Sequence, residues 1–225
     1  MITKAIKKPP HPWGRLRLWE NGYLKALCAR IKQSVTAQES AEIINQIQVR
    51  AANVFGNHID SITDEASQHH YLMSSYVLAS YYVLQDYIED STKVVEILEG
   101  SFSELGAGLI KRMMRLALFV NRDKMKVVMS YGGKKNTKEV YGDKFVIEQK
   151  GDGRPFFSSN VKRCAYHDFF KANNTTELTQ VFCNWDRLWA DEIKPQRDGI
   201  MFERPATLAA GDIECRFEFQ RVEKV

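Results

Sequence analysis

The chain has 225 residues, of which 44% are hydrophobic and 27% charged, and carries a net charge of +4 at pH 7. Those values suit one folded domain of generous size, or two very small ones, and exclude disorder, collagen-like repetition and low complexity. No apolar run reaches the ~18 residues of a bilayer span, and the positive surplus is too small to argue for nucleic acid.

The N-terminus is basic, with Lys4, Lys7, Lys8, Arg15 and Arg17 close together. It lacks the apolar stretch of a secretory leader, and none is expected. Thr36-Ala-Gln-Glu39 has the form of a capping box, in which hydroxyl and carboxylate satisfy each other's free backbone donors. Ile43, Ile44, Ile47 and Ala51 then fall on one helical stripe. Thr63-Asp-Glu opens a second helix, with Tyr71, Leu72, Tyr76, Leu78, Ala79 and Tyr82 at three- and four-residue steps. A third runs from about Ser91 to Phe119 on Val94, Val95, Leu98, Phe102, Leu105, Leu109, Met113 and Leu116. Gly100, Gly106 and Gly108 are expected to break or bend it.

The second half changes character. Val127 to Tyr131 and Lys144 to Glu148 read as strands around a Gly- and Lys-rich turn containing Lys134, Lys135 and Lys138. Either basic cluster could meet phosphate or acidic lipid, or simply be solvated. The second lacks the aromatic residues that base stacking needs. Two helices follow, about Val161 to Lys171 and Glu177 to Ile193. Two strands close the chain, Gly199 to Leu208 and Glu214 to Val222, joined through Gly211-Asp212. This order predicts a single α+β domain over residues 1–225: a basic arm and first helix over 1–35, a helical part over 36–120, and an antiparallel sheet with further helices over 121–225.

Chemistry concentrates between Cys164 and Cys215. If Cys164 to Phe170 is helical, Cys164, His167 and Asp168 share one face, and Tyr166, Phe169 and Phe170 the opposite one. A thiol beside an imidazole is the minimal arrangement for an activated thiolate; the plainer alternative makes Cys164 a filler and His167 and Asp168 surface residues. In the next helix Leu178, Val181, Phe182, Trp185, Leu188 and Trp189 form the core stripe. Cys183 points away from that stripe, with Asp186 close beside it, and a buried thiol there needs a second packed layer or a site. Cys215 alternates in phase with Phe217 and Phe219, as a core or pocket-wall residue does. Glu203 and Arg204 sit on opposite faces of their strand, and an inward Arg suits a bidentate carboxylate ligand. Cys164, Cys183, Cys215 and His167 can also be read as metal ligands, although no Cys-x-x-Cys pair supports zinc. Phosphate-binding, dinucleotide-binding, esterase and zinc-protease motifs are missing.

Three segments together resemble the L-2-amino-thiazoline-4-carboxylic acid hydrolase family. They are Cys164-Ala-Tyr-His-Asp-Phe-Phe-Lys-Ala-Asn173, Glu177-Leu-Thr-Gln-Val-Phe-Cys-Asn-Trp-Asp-Arg-Leu-Trp189, and Gly199-Ile-Met-Phe-Glu-Arg-Pro-Ala-Thr-Leu-Ala209 with Gly211 and Cys215-Arg-Phe. Thr176 stands where the family pattern has proline, and is itself a good N-cap. The closing Gly-x-x-x-Cys-x-Phe strand is also similar to the small-molecule-binding domain of vinyl-reductase-like proteins.

The resemblance implies hydrolytic opening of a cyclic amidine-like C=N, giving N-carbamoyl-L-cysteine from the substrate in the family's name. For that chemistry the expected residues are Cys183 as nucleophile or Asp186 as water-activating base, with His167 as proton shuttle and Cys164 in the catalytic set. Arg204 is expected to hold the substrate carboxylate, with Glu203, Tyr166 and Trp189 as further substrate-binding residues. The expected partner is a small-molecule substrate, with no nucleic acid, no membrane, no cofactor, and a homo-oligomer open. Four irregularly spaced cysteines without a leader suit the reducing cytoplasm. Ligand sensing without turnover, metal binding, and the same chemistry on another substrate are the competing functions.

Overall fold

The computed structural model describes residues 12–131 and 139–223, with side chains from residue 19 onward except at 131. Lys4, Lys7, Lys8 and the cluster at Lys134, Lys135 and Lys138 lie outside the described residues, as do the side chains of Arg15 and Arg17. Among the described residues no helix is long and apolar enough to cross a membrane.

Six helices come first: α1 (Pro12–Ile31), α2 (Ala37–Asn57), α3 (Glu65–Gln85), α4 (Ser91–Ser103), α5 (Ala107–Val120) and α6 (Lys124–Tyr131). The capping box forms at α2, where the Glu39 N–H donates to Thr36 Oγ1 at 3.2 Å and the Thr36 N–H donates to Glu39 Oε2 at 2.8 Å. Ile43, Ile47, Ala51 and Phe55 then bury one face of α2. Asp64 caps α3, whose residues 70–81 are buried without a break. A helix buried on every side belongs at the centre of a bundle, and α3 packs against α1, α2 and α4.

The long third helix expected over 91–119 is two helices. Gly106 separates them at φ +66, a left-handed conformation that costs a residue with a Cβ. Gly100 stays inside α4 and Gly108 inside α5. The break rotates the second segment, so Met114 and Leu118 face inward while Leu109, Met113 and Leu116 are exposed. The strand expected at 127–131 is helix α6. Met125 and Val128 are fully buried one turn apart, and that burial overrides the β-preference of the Val-Val pair.

The remaining elements are β1 (Val146–Lys150), β2 (Phe156–Arg163), α7 (Ala165–Ala172), α8 (Thr179–Arg187), the short α9 (Pro195–Asp198), β3 (Ile200–Ala206) and β4 (Cys215–Arg221). The four strands form one antiparallel sheet in the order β1-β2-β4-β3, and the molecule is mixed α+β as expected. The closing hairpin lies where the sequence puts it. The helix expected from Val161 begins four residues later, because Phe156–Arg163 is the central strand β2. In β3 the pairing slips between Glu203 and Ala206, so Arg204 and Pro205 together oppose Phe217. A bulge on an edge strand accommodates a proline, which has no N–H to give.

Two buried clusters result. One lies among α1–α4, α7 and α8; the other lies between the sheet and α5–α6.

Asp198 closes α9 onto this second layer. It accepts hydrogen bonds from the Lys194 N–H at 2.8 Å, Lys124 Nζ at 3.0 Å and Arg197 Nη2 at 2.7 Å. Burial alone pushes its carboxyl up, but Arg197, the Lys194 N–H and Lys124 outweigh burial and hold it at about 2. A carboxyl with a depressed folded-state pKa stabilises the fold above its unfolded value, and loses that contribution as pH falls through the folded one. Asp198→Ala is expected to lower the unfolding free energy by about 3 kcal/mol, because it leaves cations facing an empty buried site. Urea titration measures this, and the wild-type loss of stability from pH 4 to pH 2 should be shallower in the variant.

Candidate active site

A cavity of about 610 Å³ lies between the inner face of the sheet and the helical layer. Strand alternation builds one wall: β2 contributes Phe157, Ser159 and Val161, β4 contributes Cys215, Phe217 and Phe219, and β3 contributes Arg204. Register holds these together, since Phe157 pairs with Phe219, Ser159 with Phe217, and Val161 with Cys215. The opposite wall is one stripe of α8, Thr179, Phe182, Cys183 and Asp186, at the i, i+3, i+4, i+7 spacing of a helix face. Helix α3 adds His69, His70 and Met73.

Tyr141 and Phe145 reach the cavity from a segment tied to the start of α3. The capping carboxylate of Asp64 also accepts the Asp143 N–H at 2.7 Å. Gly142, at φ +65, passes so close that a Cβ would lie 2.5 Å from Asp64 Oδ2. Glycine there lets Tyr141 and Phe145 stand against His70, with ring centroids 6.5 and 5.0 Å away.

His70 joins the layers. Its Nε2 lies 3.2 Å from the Val140 carbonyl and its Nδ1 lies 2.7 Å from the Tyr166 hydroxyl. A carbonyl only accepts, so Nε2 carries the hydrogen and Nδ1 accepts the Tyr166 O–H. Burial, with His69 alongside, pushes the imidazole down to about 4. Tyr166 in turn stacks on Phe182 at 4.0 Å, which locks α7 against α8.

Asp186 is enclosed by the chain yet open to the cavity. Burial raises its carboxyl above the ordinary value, and the Arg204 charge opposes the rise through space without cancelling it. Arg204 lies over the Phe217 ring at 4.5 Å and donates Nη1 to the Cys183 carbonyl at 2.9 Å. Its Nε is buried without a hydrogen-bond partner, as is Thr179 Oγ1. Burial pushes the Cys183 thiol up to about 11 despite Arg204, and pushes the Cys164 thiol up as well. Cys215 Sγ accepts the Leu208 N–H at 3.2 Å. Asp186, then burial, raises the Tyr141 phenol, which stays neutral at ordinary pH.

Six of the eight residues expected at a site line this cavity: Cys164, Tyr166, Cys183, Asp186, Trp189 and Arg204. His167 and Glu203 do not. Because β2 runs to Arg163, Cys164 has extended backbone (φ −129, ψ 120) and precedes the first turn of α7. Its side chain is therefore out of phase with His167 and Asp168, and Asp168 pairs instead with Arg163 at 2.8 Å. Glu203 is exposed on the outer face, since alternation admits only one of two adjacent residues. Among the described residues no group of three His, Cys, Asp or Glu side chains is placed to hold a metal ion. The ligand set of three thiols and His167 is thus not assembled. All four cysteines are free.

Thr179, Tyr141, Phe145, Ser159 and His70 escaped the sequence reading. Thr179 was available from the α8 stripe, and His70 from its place beside Tyr71 and Leu72 at the start of the buried stretch of α3. Tyr141 and Phe145 depend on the Asp64–Gly142 contact and carry no local signal.

Residues 68–219 match the family model described as L-2-amino-thiazoline-4-carboxylic acid hydrolase, and the chain belongs to that family. The matched interval contains every cavity-lining residue except Trp19. No curated protein matches the chain. Among solved structures, the crystal structure of an Fe(II) unliganded H-NOX protein from K. algicida is similar at 10% identity and a TM-score of 0.36, covering 90% of this chain and 96% of that one.

The His70 geometry has a measurable consequence. With a folded-state pKa below the unfolded value, the folded protein binds fewer protons between pH 6.5 and 4, so stability falls as pH drops through that window. The expected slope is about 1 kcal/mol per pH unit, flattened in His70→Asn, with the His70 ring resonances titrating near 4. A His70 midpoint near 6.5 in the NMR titration contradicts this arrangement.

Proposed function

We propose that this member of the L-2-amino-thiazoline-4-carboxylic acid hydrolase family opens a cyclic amidine carboxylate by direct addition of water, with Asp186 as base and Arg204 as carboxylate anchor. The observation that carries this reading is that Asp186 and Arg204 line facing walls of one cavity, close enough for the Arg204 charge to act on the carboxyl. Arg204 has a buried Nε donor still unpaired. An unsatisfied buried donor costs about 1–3 kcal/mol, and a ligand carboxylate removes that cost with the side-on geometry guanidinium favours.

The chemistry balances with one water. Its oxygen bonds to the ring carbon between nitrogen and sulfur while Asp186 takes one of its protons, and the C=N π pair moves onto nitrogen, which gains a proton. The hydroxyl then gives up its remaining proton as the carbonyl forms, the carbon–sulfur bond breaks with its electron pair on sulfur, and sulfur takes a proton, so the two hydrogens of the water end on nitrogen and sulfur. The product is a ring-opened carbamoyl thiol, and nothing is oxidised or reduced. The raised Asp186 pKa suits the first half, since it makes a stronger base than an ordinary carboxylate, and the proton it takes is then at hand for the leaving sulfur. The neutral Tyr141 hydroxyl stands beside this path as a donor, the part first given to His167, which lies off the cavity wall.

A covalent route through Cys183 is less well supported. A thiol with a pKa of about 11 is ionised in only about one molecule in ten thousand at pH 7. Burial acts on Cys164 in the same direction. The scheme uses no cofactor.

Mass spectrometry of 2-amino-thiazoline-4-carboxylate incubated with the protein tests the reading. The expected result is gain of one water, with kcat/KM reduced at least about 100-fold in Asp186→Asn and KM raised in Arg204→Met. Cys183→Ala should keep most of its turnover. Activity should fall as pH drops through the Asp186 pKa, with a midpoint above the ordinary carboxylate range. Loss of turnover in Cys183→Ala but not Asp186→Asn would move the mechanism to a thioester-like covalent intermediate. Tight binding without product would make the domain a ligand sensor.

A further inference from the structure

The cavity is far larger than its charged pair requires. A volume of about 610 Å³ falls in the range, about 300–1,000 Å³, of pockets that enclose drug-sized ligands. The substrate in the family's name is a small monocycle bearing one amino and one carboxyl group, and it leaves most of that space to solvent. Filled with liquid water the cavity holds roughly 20 molecules, each seeking two to four polar partners. The walls supply few: beyond Arg204, Asp186, Thr179, Ser159, His69 and the Tyr141 hydroxyl the surroundings are chiefly aromatic and aliphatic. Water so placed is poorly bonded, and displacing it with apolar surface is favourable.

The apolar wall has a direction. Arg204 stands over Phe217. Phe219 follows two residues along β4, with Trp189 at 5.7 Å and Phe157 at 6.1 Å between ring centroids. From Cys215 to Phe219 the strand spans roughly 13 Å. Beyond Arg204 over Phe217, the stretch continues through Phe219, Trp189 and Phe157, all apolar lining residues.

We propose that the cavity takes a carboxylate carrying a large apolar group, its carboxylate at Arg204 and its aryl or alkyl body along Phe217, Phe219 and Phe157. As substrate this is a cyclic amidine acid extended by an apolar substituent, and the proposal rests on the reading of Arg204 as carboxylate anchor. The apolar body also serves the chemistry: it keeps bulk water from Asp186, whose raised basicity comes from desolvation.

Isothermal titration calorimetry on the full chain tests this with two probes, 2-naphthoate and 2-amino-thiazoline-4-carboxylate. The expected Kd for 2-naphthoate is lower by at least about tenfold, with a more negative heat-capacity change from apolar burial. Ser159→Trp, which pushes a side chain into the cavity opposite Phe217, should weaken 2-naphthoate at least about tenfold. Equal or tighter binding of the thiazoline overturns the proposal, as does 2-naphthoate binding unchanged in a folded Ser159→Trp. If that variant does not fold, the wild-type Kd and heat-capacity comparison decides alone. Thiazoline hydrolysis is scored separately. Turnover without naphthoate binding keeps the hydrolase reading and defeats this one; naphthoate binding without turnover does the reverse.

Discussion

Helix α8 has to bury two faces at once, and the site depends on that constraint. Leu178, just before it, and its own Val181 and Phe182 belong to the helical core, where Phe182 packs between Phe102 and Phe170. The stripe of Thr179, Phe182, Cys183 and Asp186 faces the sheet. A carboxyl cannot be pressed into a dry apolar layer without large cost. With Asp186 at the fourth position of the stripe, sheet and helix cannot close on each other there, and the space between them is the cavity. The Arg204–Pro205 bulge belongs to the same solution. It sits on the facing edge strand and aims a guanidinium across the gap, one amine tied to the Cys183 carbonyl.

Burial acts on each titratable group around this gap according to its starting point. It raises carboxyl and thiol alike, because both are charged when deprotonated. For Asp186 the rise makes the carboxylate a stronger base than an exposed one. For Cys183 it leads to about 11, away from the thiolate. For His70 it leads down, leaving a neutral ring that orients Tyr166 instead of carrying charge. One physical cause thus separates the candidate base from the candidate nucleophiles, although all stand within the same enclosure.

Features governed by local chemistry were legible in the sequence. The Thr36–Glu39 box, the Asp64 cap and the β3–β4 hairpin each follow from a few neighbouring residues. Cys183 was also legible: a thiol opposite a strong core stripe demanded a second layer, and the sheet is that layer. What failed was set by distant packing. Phe156–Arg163 alternates poorly because Ser158 and Asn160 are buried on its outer side while Phe157 faces the cavity, so a central strand gave a weak period-two signal. The missed strand then carried an error into the site, since it shifted Cys164 off the helix and out of phase with His167. Val127 and Val128 favour strands, but with Met125 they are buried as a helix face in the cluster against the sheet.

The size of the cavity links fold and chemistry more tightly than any residue pair. Asp186 keeps a raised pKa only while water is scarce around it, and a ligand confined to the Asp186–Arg204 pair leaves the Phe157–Phe219 end wet. The aromatic wall is also rigid: Phe202, Phe219 and Trp189 stack with centroids 5.0 and 5.7 Å apart, anchored by strand register. Such a wall does not collapse readily around a small molecule. Burial by the chain already raises the Asp186 carboxyl, and a ligand that fills the aromatic end adds to that dryness, so the apolar portion of the substrate contributes to basicity as well as affinity. On this argument an extended substrate gains in kcat as well as in KM, because remote apolar contacts are converted into a drier and more basic Asp186.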